Sequence, residues 1–175
     1  MYAPEQLKKI LNTQSKTVNI RKKTQQNNQE ETKKMTVNNI QNLILKMGES
    51  GCFYLCYVKI AERNMRKNID IIEKAYENIA VGNIYFNFND INDPKNFYIE
   101  NAEGLLYNLT GRRWLVTKEN KDFIPDDKYF FRVYKSMNKD GRLIYHAECD
   151  FFFPLEPSAR RKGWVEDGLR VCVLR

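Results

Sequence analysis

Near Gly111 the spacing of apolar residues switches from a helical period to a period of two, and that switch fixes how the chain can layer. Before it, Val37, Ile40, Leu43, Ile44 and Met47 recur in steps of three and four, one buried face of a helix over 37–47 with Thr36 as its N-cap. A mostly apolar run from Cys52 to about Asn64 predicts a second, more deeply buried helix. A third is expected after Asn68, with Ile69, Ile72, Ala75, Tyr76 and Ile79 on its inner side and Gly82 as its stop. Residues 83–92 read as a short strand or an aromatic loop, and Asp93-Pro94 as the start of a helix running irregularly to Leu109. After Gly111, strands are predicted over 114–117, 129–137, 143–149 and 164–174. Asn138-Lys139-Asp140-Gly141 supplies a hairpin turn between the second and third of these. Phe151-Phe152-Phe153 continues the third strand or begins another, until Pro154 breaks the run. A turn at Asp167-Gly168 is expected within the last strand, which closes the sheet. Helices first and an antiparallel sheet second predict an α+β domain.

Charge divides the chain differently. The net charge is +7, yet residues 1–35 hold eight Lys/Arg against three Glu, and the other 140 residues are nearly balanced. Within 12–34 only Val18 and Ile20 are aliphatic, too little apolar surface to offset the entropy of ordering. The predicted organisation is a basic polar arm over 1–35, with a short helix after Pro4, followed by one domain over 36–175. Arg21, Lys22 and Lys23 on the arm, with Arg160, Arg161 and Lys162 in a basic loop over 157–163, are candidates for contact with nucleic acid, a nucleoprotein or an acidic partner. No base-reading motif accompanies them. No apolar run reaches membrane-spanning length and the first residues lack a signal-peptide pattern, so a cytoplasmic protein is expected, with all four cysteines as thiols.

The chemistry gathers at Gly48-Glu49-Ser50-Gly51-Cys52. Gly48 reads as the stop of one helix and Ser50 or Gly51 as the cap of the next, which leaves the Cys52 thiol in a first turn. Unpaired N–H groups and the helix dipole there favour a thiolate, so a lowered pKa is expected. A nucleophilic cysteine needs a base in reach, and His146, the single histidine, lies on a strand of the second half. A third group would orient the imidazole. Asp150 is the candidate, although four extended residues separate it from His146 by about 13 Å unless the chain turns. The N–H of Cys52, with the Ser50-Gly51 elbow, would hold an oxyanion. Cys52, Cys56, His146 and Cys149 mimic a zinc set. His146 and Cys149, however, stand an odd number apart on a strand and face opposite sides, so no metal is expected. No phosphate-cradling glycine loop is present and no cofactor is called for.

The elbow Gly48-Glu49-Ser50-Gly51-Cys52-Phe53, the distal His146, and Phe153-Pro154-Leu155 before the basic loop resemble an uncharacterised family of prophage- and plasmid-borne proteins. Those look like small papain-like domains, distantly similar to bacteriocin-processing and cell-wall cysteine peptidases. The resemblance spans about 37–175 and implies a papain-like arrangement, with Cys52 as nucleophile and His146 as base acting on a peptide or amide. The family commonly places an acidic residue before the Pro-Leu pair, where this chain has Phe153. That departure suits the alternative expectation, a non-catalytic phage-encoded inhibitor such as an anti-CRISPR protein that grips a host nucleic-acid-guided nuclease.

Overall fold

The computed structural model describes residues 36–125, 129–149 and 162–175. The arm over 1–35, Asp150, Phe151-Phe152-Phe153 and most of the basic loop lie outside the described residues.

The helices come first. α1 (Val37–Ser50) begins at Thr36, whose hydroxyl accepts the Asn39 N–H, and it buries Leu43, Ile44 and Met47. It runs three residues beyond the expected stop: Gly48 lies inside it, and the chain turns at Gly51 alone. α2 (Cys52–Met65) starts at the next residue and buries Tyr54, Leu55, Cys56, Tyr57, Val58, Ile60 and Ala61. α3 (Ile71–Ala80) is capped by Asp70 instead of the expected Asn68. The Asp70 carboxylate accepts from the N–H groups of Ile72 and Glu73, two donors that a helix start otherwise leaves unpaired. Asp70→Ala is therefore expected to cost about 1 kcal/mol in urea unfolding.

The helix expected from Asp93-Pro94 does not form as one piece. Asp93 and Asn96 instead organise turns, with the Asn96 amide donating to the Asp90 and Ile91 carbonyls and accepting the Asn87 N–H. Side chains that satisfy the backbone of a loop compete with a helix for the same groups. Two short strands, β1 (Ile84–Tyr85) and β2 (Tyr98–Ile99), pair across this loop. α4 (Ala102–Thr110) then starts at Asn101 and stops at Gly111, where φ is +70°.

The second half is the main sheet: β3 (Trp114–Glu119), β4 (Phe130–Met137), β5 (Leu143–Glu148) and β6 (Val165–Leu174), all antiparallel, in the order β3-β6-β4-β5. The expected hairpin joins β4 to β5, and the Asn138 amide oxygen accepts from the Asp140 and Arg142 N–H groups. Asp167-Gly168 is a bulge in a continuous strand, with no turn: Val133 faces Gly168 while Tyr134 faces Glu166. The last strand does not close an edge but inserts between β3 and β4, leaving β5 outermost.

α2 and α4 cover one face of this sheet. Phe131 and Val133 of β4, Ala147 of β5 and Cys172 of β6 meet the helices there, with the Phe131 ring edge-on to Tyr57 at 5.0 Å and to Phe53 at 5.8 Å. The described architecture is thus α+β, a helical layer on an antiparallel sheet. No helix among the described residues is long and apolar enough to cross a membrane.

Candidate active site

Gly51 is the whole of the elbow. Its N–H is donated to the Met47 carbonyl, and its carbonyl accepts the Leu55 N–H, so one residue ends α1 and begins α2. A Cβ at this position would lie 2.6 Å from the Met47 oxygen, so only glycine permits the one-residue junction. The Ser50 hydroxyl donates back to the Lys46 carbonyl and caps nothing. Of the expected elbow donors the Gly51 N–H is therefore already used, and those at the helix start belong to Cys52 and Phe53.

The edge strand defines where the thiol sits. The Asn138 N–H bonds the Arg142 carbonyl at the hairpin, which sets the alternation along β4 and β5. The pairs Ser136–Ile144, Tyr134–His146 and Arg132–Glu148 are then the hydrogen-bonded ones, whereas Leu143, Tyr145 and Ala147 point their N–H and carbonyl groups away from β4. The outward N–H of Ala147 meets the Cys52 sulfur, together with the N–H groups of Phe53 and Cys52 itself. The sulfur therefore lies beside the strand edge, not above one face. One peptide link separates the nitrogen that touches it from the Cα that carries the His146 imidazole. Sequence positions 95 residues apart, Cys52 and Ala147, meet at this point, and the alternation along β5 turns the His146 side chain to the face of the sheet opposite Ala147.

The imidazole meets the Trp164 indole edge-on, with ring centroids 6.1 Å apart. Both residues and Cys52 line one open cleft of about 1330 Å³. Its far wall is the 94–101 segment, and its floor includes Val116, Lys118 and Arg170. The Arg170 guanidinium stands 6.0 Å from the Phe53 ring centroid, which ties the floor to the first turn of α2.

The electrostatics correct one expectation. Burial pushes the Cys52 thiol above its ordinary value, outweighing the three N–H groups that favour a thiolate. The helix start does act on the sulfur, but desolvation is larger. Burial likewise raises Cys56 and Cys149, and the phenols of Tyr54 and Tyr57. All five hold their protons more tightly folded than unfolded. Their contribution to stability is complete below the ordinary thiol value near 9.0 and is lost as pH climbs through the raised values. The melting temperature is expected to fall steadily above pH 9, at up to about 1.4 kcal/mol per pH unit for each group that ionises on unfolding. A melting temperature that stays level from pH 9 to 11 would contradict the burial of these groups.

Of the other sequence candidates, Lys162 is exposed, and Asp150, Arg21, Lys22, Lys23, Arg160 and Arg161 fall outside the described residues. Among the described residues no group of three or more His, Cys, Asp or Glu is placed to hold a metal ion. Sequence reasoning missed the Ala147 N–H and Trp164, both of which depend on strand pairing across the sheet. No protein-family model, curated protein or solved structure matches the chain.

Proposed function

We propose that this is a papain-like cysteine hydrolase-type domain, in which Cys52 attacks an amide or ester carbonyl and His146 takes the thiol proton. The observation that carries the reading is the meeting of the Cys52 sulfur with the Ala147 N–H at the mouth of a cleft, one residue from the histidine. Because burial keeps the thiol protonated, the proton moves to the imidazole as the carbon–sulfur bond forms, without a resting thiolate. The tetrahedral oxyanion accepts hydrogen bonds from the N–H groups at the start of α2. Collapse to a thioester releases the amine or alcohol, which takes the proton from His146, and water then hydrolyses the thioester.

The test uses p-nitrophenyl acetate as the acyl donor. A burst of one p-nitrophenol per chain, with an acetyl group found on Cys52 by mass spectrometry, is the expected result. Cys52→Ala should remove the burst. Acetylation spread over lysines, or a burst that survives Cys52→Ala, overturns the proposal.

A second reading, a non-catalytic inhibitor that grips a host nucleoprotein, is favoured by Phe153 in place of an acidic residue and by the +5 charge of residues 1–35. Its binding would weaken steeply with salt, whereas the acyl burst would not.

A further inference from the structure

The floor of the cleft carries charge that neither the fold nor the proposed chemistry uses. Lys118 of β3 and Arg170 of β6 are direct cross-strand partners on the helix-side face, and like charges so placed destabilise a sheet. Lys135 of β4 stands on the same face. Within the sheet one carboxylate serves these three cations: Asp167 meets Lys135 at 2.7 Å and Lys118 at 3.9 Å. Glu103 of α4 supplies a second from the rim, where it accepts the Val116 N–H at 3.2 Å. The other lining charges cancel, Lys95 against Glu100 on the wall and Glu49 against Lys46 at 2.6 Å. One positive charge is left unmatched.

Arg170 is where it falls. The side chain is partly buried, one guanidinium nitrogen donates to the Leu169 carbonyl at 3.3 Å, and the group stands against the Phe53 ring. Among the described residues no carboxylate forms an ion pair with it. A guanidinium offers five N–H donors in a planar fork, so most of this one faces the cleft without a protein acceptor.

We infer that Arg170 anchors a carboxylate-binding subsite, with Lys118 beside it, which holds a substrate bearing a single carboxylate and presents its carbonyl to Cys52. This names the substrate class of the site proposed above and rests on that reading. A carboxylate matches the guanidinium fork with two parallel hydrogen bonds and supplies the one negative charge that the floor lacks. A doubly charged phosphate would bring a second charge toward Glu100 and Glu103. The path to the sulfur is short. Phe53, whose ring lies against the guanidinium, is the residue after Cys52, and only β4 separates β6 from the β5 edge, about 10 Å across the sheet. The arginine side chain covers part of that span, and an acyl chain of a few carbons covers the rest.

The experiment compares two p-nitrophenyl esters of similar length on the full-length protein, the glutaric acid monoester and the neutral hexanoate. The glutarate ester is expected to acylate Cys52 about ten-fold or more faster at low concentration. Arg170→Gln should remove that difference, and Arg170→Lys, which keeps the charge but not the fork, should restore only part of it. Free glutarate should slow the parent's burst, whereas its uncharged diamide should not. This competition carries the test even if the Arg170 variants do not fold. Equal rates for the two esters, a preference that survives Arg170→Gln, or a diamide that competes as well as glutarate overturns the inference. Inorganic phosphate competing as strongly as glutarate would overturn the choice of carboxylate. Glutarate should also raise the melting temperature of Cys52→Ala, a readout that needs no turnover. That rise without any burst in the parent leaves the subsite standing and removes the hydrolase. A burst with no preference between the esters does the reverse.

Discussion

His146→Ala is expected to slow acylation of Cys52 by about 10²–10⁴-fold while leaving the melting temperature within a few degrees of the parent. The size follows from the state of the sulfur. A cysteine whose resting thiolate is already formed can acylate without a base, and loses little when a histidine is removed. Cys52 is in the opposite condition, because burial holds its proton on. On the proposed reading the imidazole is the acceptor for that proton, and its removal leaves only water. The deficit should shrink as pH rises and the thiolate forms directly, so the ratio of parent to variant rates narrows above pH 9. The single-turnover acylation rate from pH 6 to 10 is the measurement. Equal rates for the two proteins at pH 7 would mean that His146 takes no part.

Gly168→Ala is expected to destabilise the chain by about 3 kcal/mol, which lowers the melting temperature by about 10 °C for a domain of this size. Two costs combine. Gly168 has φ of +140°, a conformation that L residues rarely adopt, and an added Cβ would lie 2.2 Å from the Glu119 carbonyl oxygen. Neither can relax cheaply, because Glu119 belongs to β3 and pairs with Leu169. The bulge also sends Asp167 to Lys135 at 2.7 Å and to Lys118 at 3.9 Å, so one carboxylate links the strands on either side of β6. Asp167 holds its proton less tightly for that reason, first because of its hydrogen bond to Lys135. A change of only a few degrees in the melting temperature of Gly168→Ala would show that the bulge yields easily.

The elements that could be read from sequence are those set by neighbours in sequence. Thr36, the apolar face of α1, the Asn138–Gly141 turn and the alternation of β4 and β5 each lie within a few residues of what they determine. The failures have the opposite origin. Gly48 looks like a helix stop, yet α1 continues to Ser50 because Met47 is buried against its neighbours and the turn is made by Gly51. Pro94 looks like a helix start, yet the buried Asn96 holds the backbone of the loop in turns. The site divides in the same way. Cys52 at a helix start and His146 on a strand were legible, while the Ala147 N–H and the Trp164 ring come from pairings between distant strands. The Cys52 pKa departs from the sequence expectation for a related reason: the dipole is a property of one helix, but desolvation is a property of everything packed around it.

The placement of β6 has a consequence for how the protein is made. It is the last strand of the sheet to leave the ribosome, and it belongs in the middle. Until residue 174 has emerged, β3 and the β4–β5 hairpin share no hydrogen bonds and each shows an open edge along its inner side. The helices can assemble earlier, since their contacts are local, but the Phe131 and Val133 face they cover has no finished sheet behind it. A chain made only as far as β5 therefore has two half-sheets with unpaired inner edges, the kind of surface through which incomplete chains associate. Joining them takes one insertion that zips β6 to both neighbours at once, with Gly168 passing close under the Glu119 carbonyl as it seats.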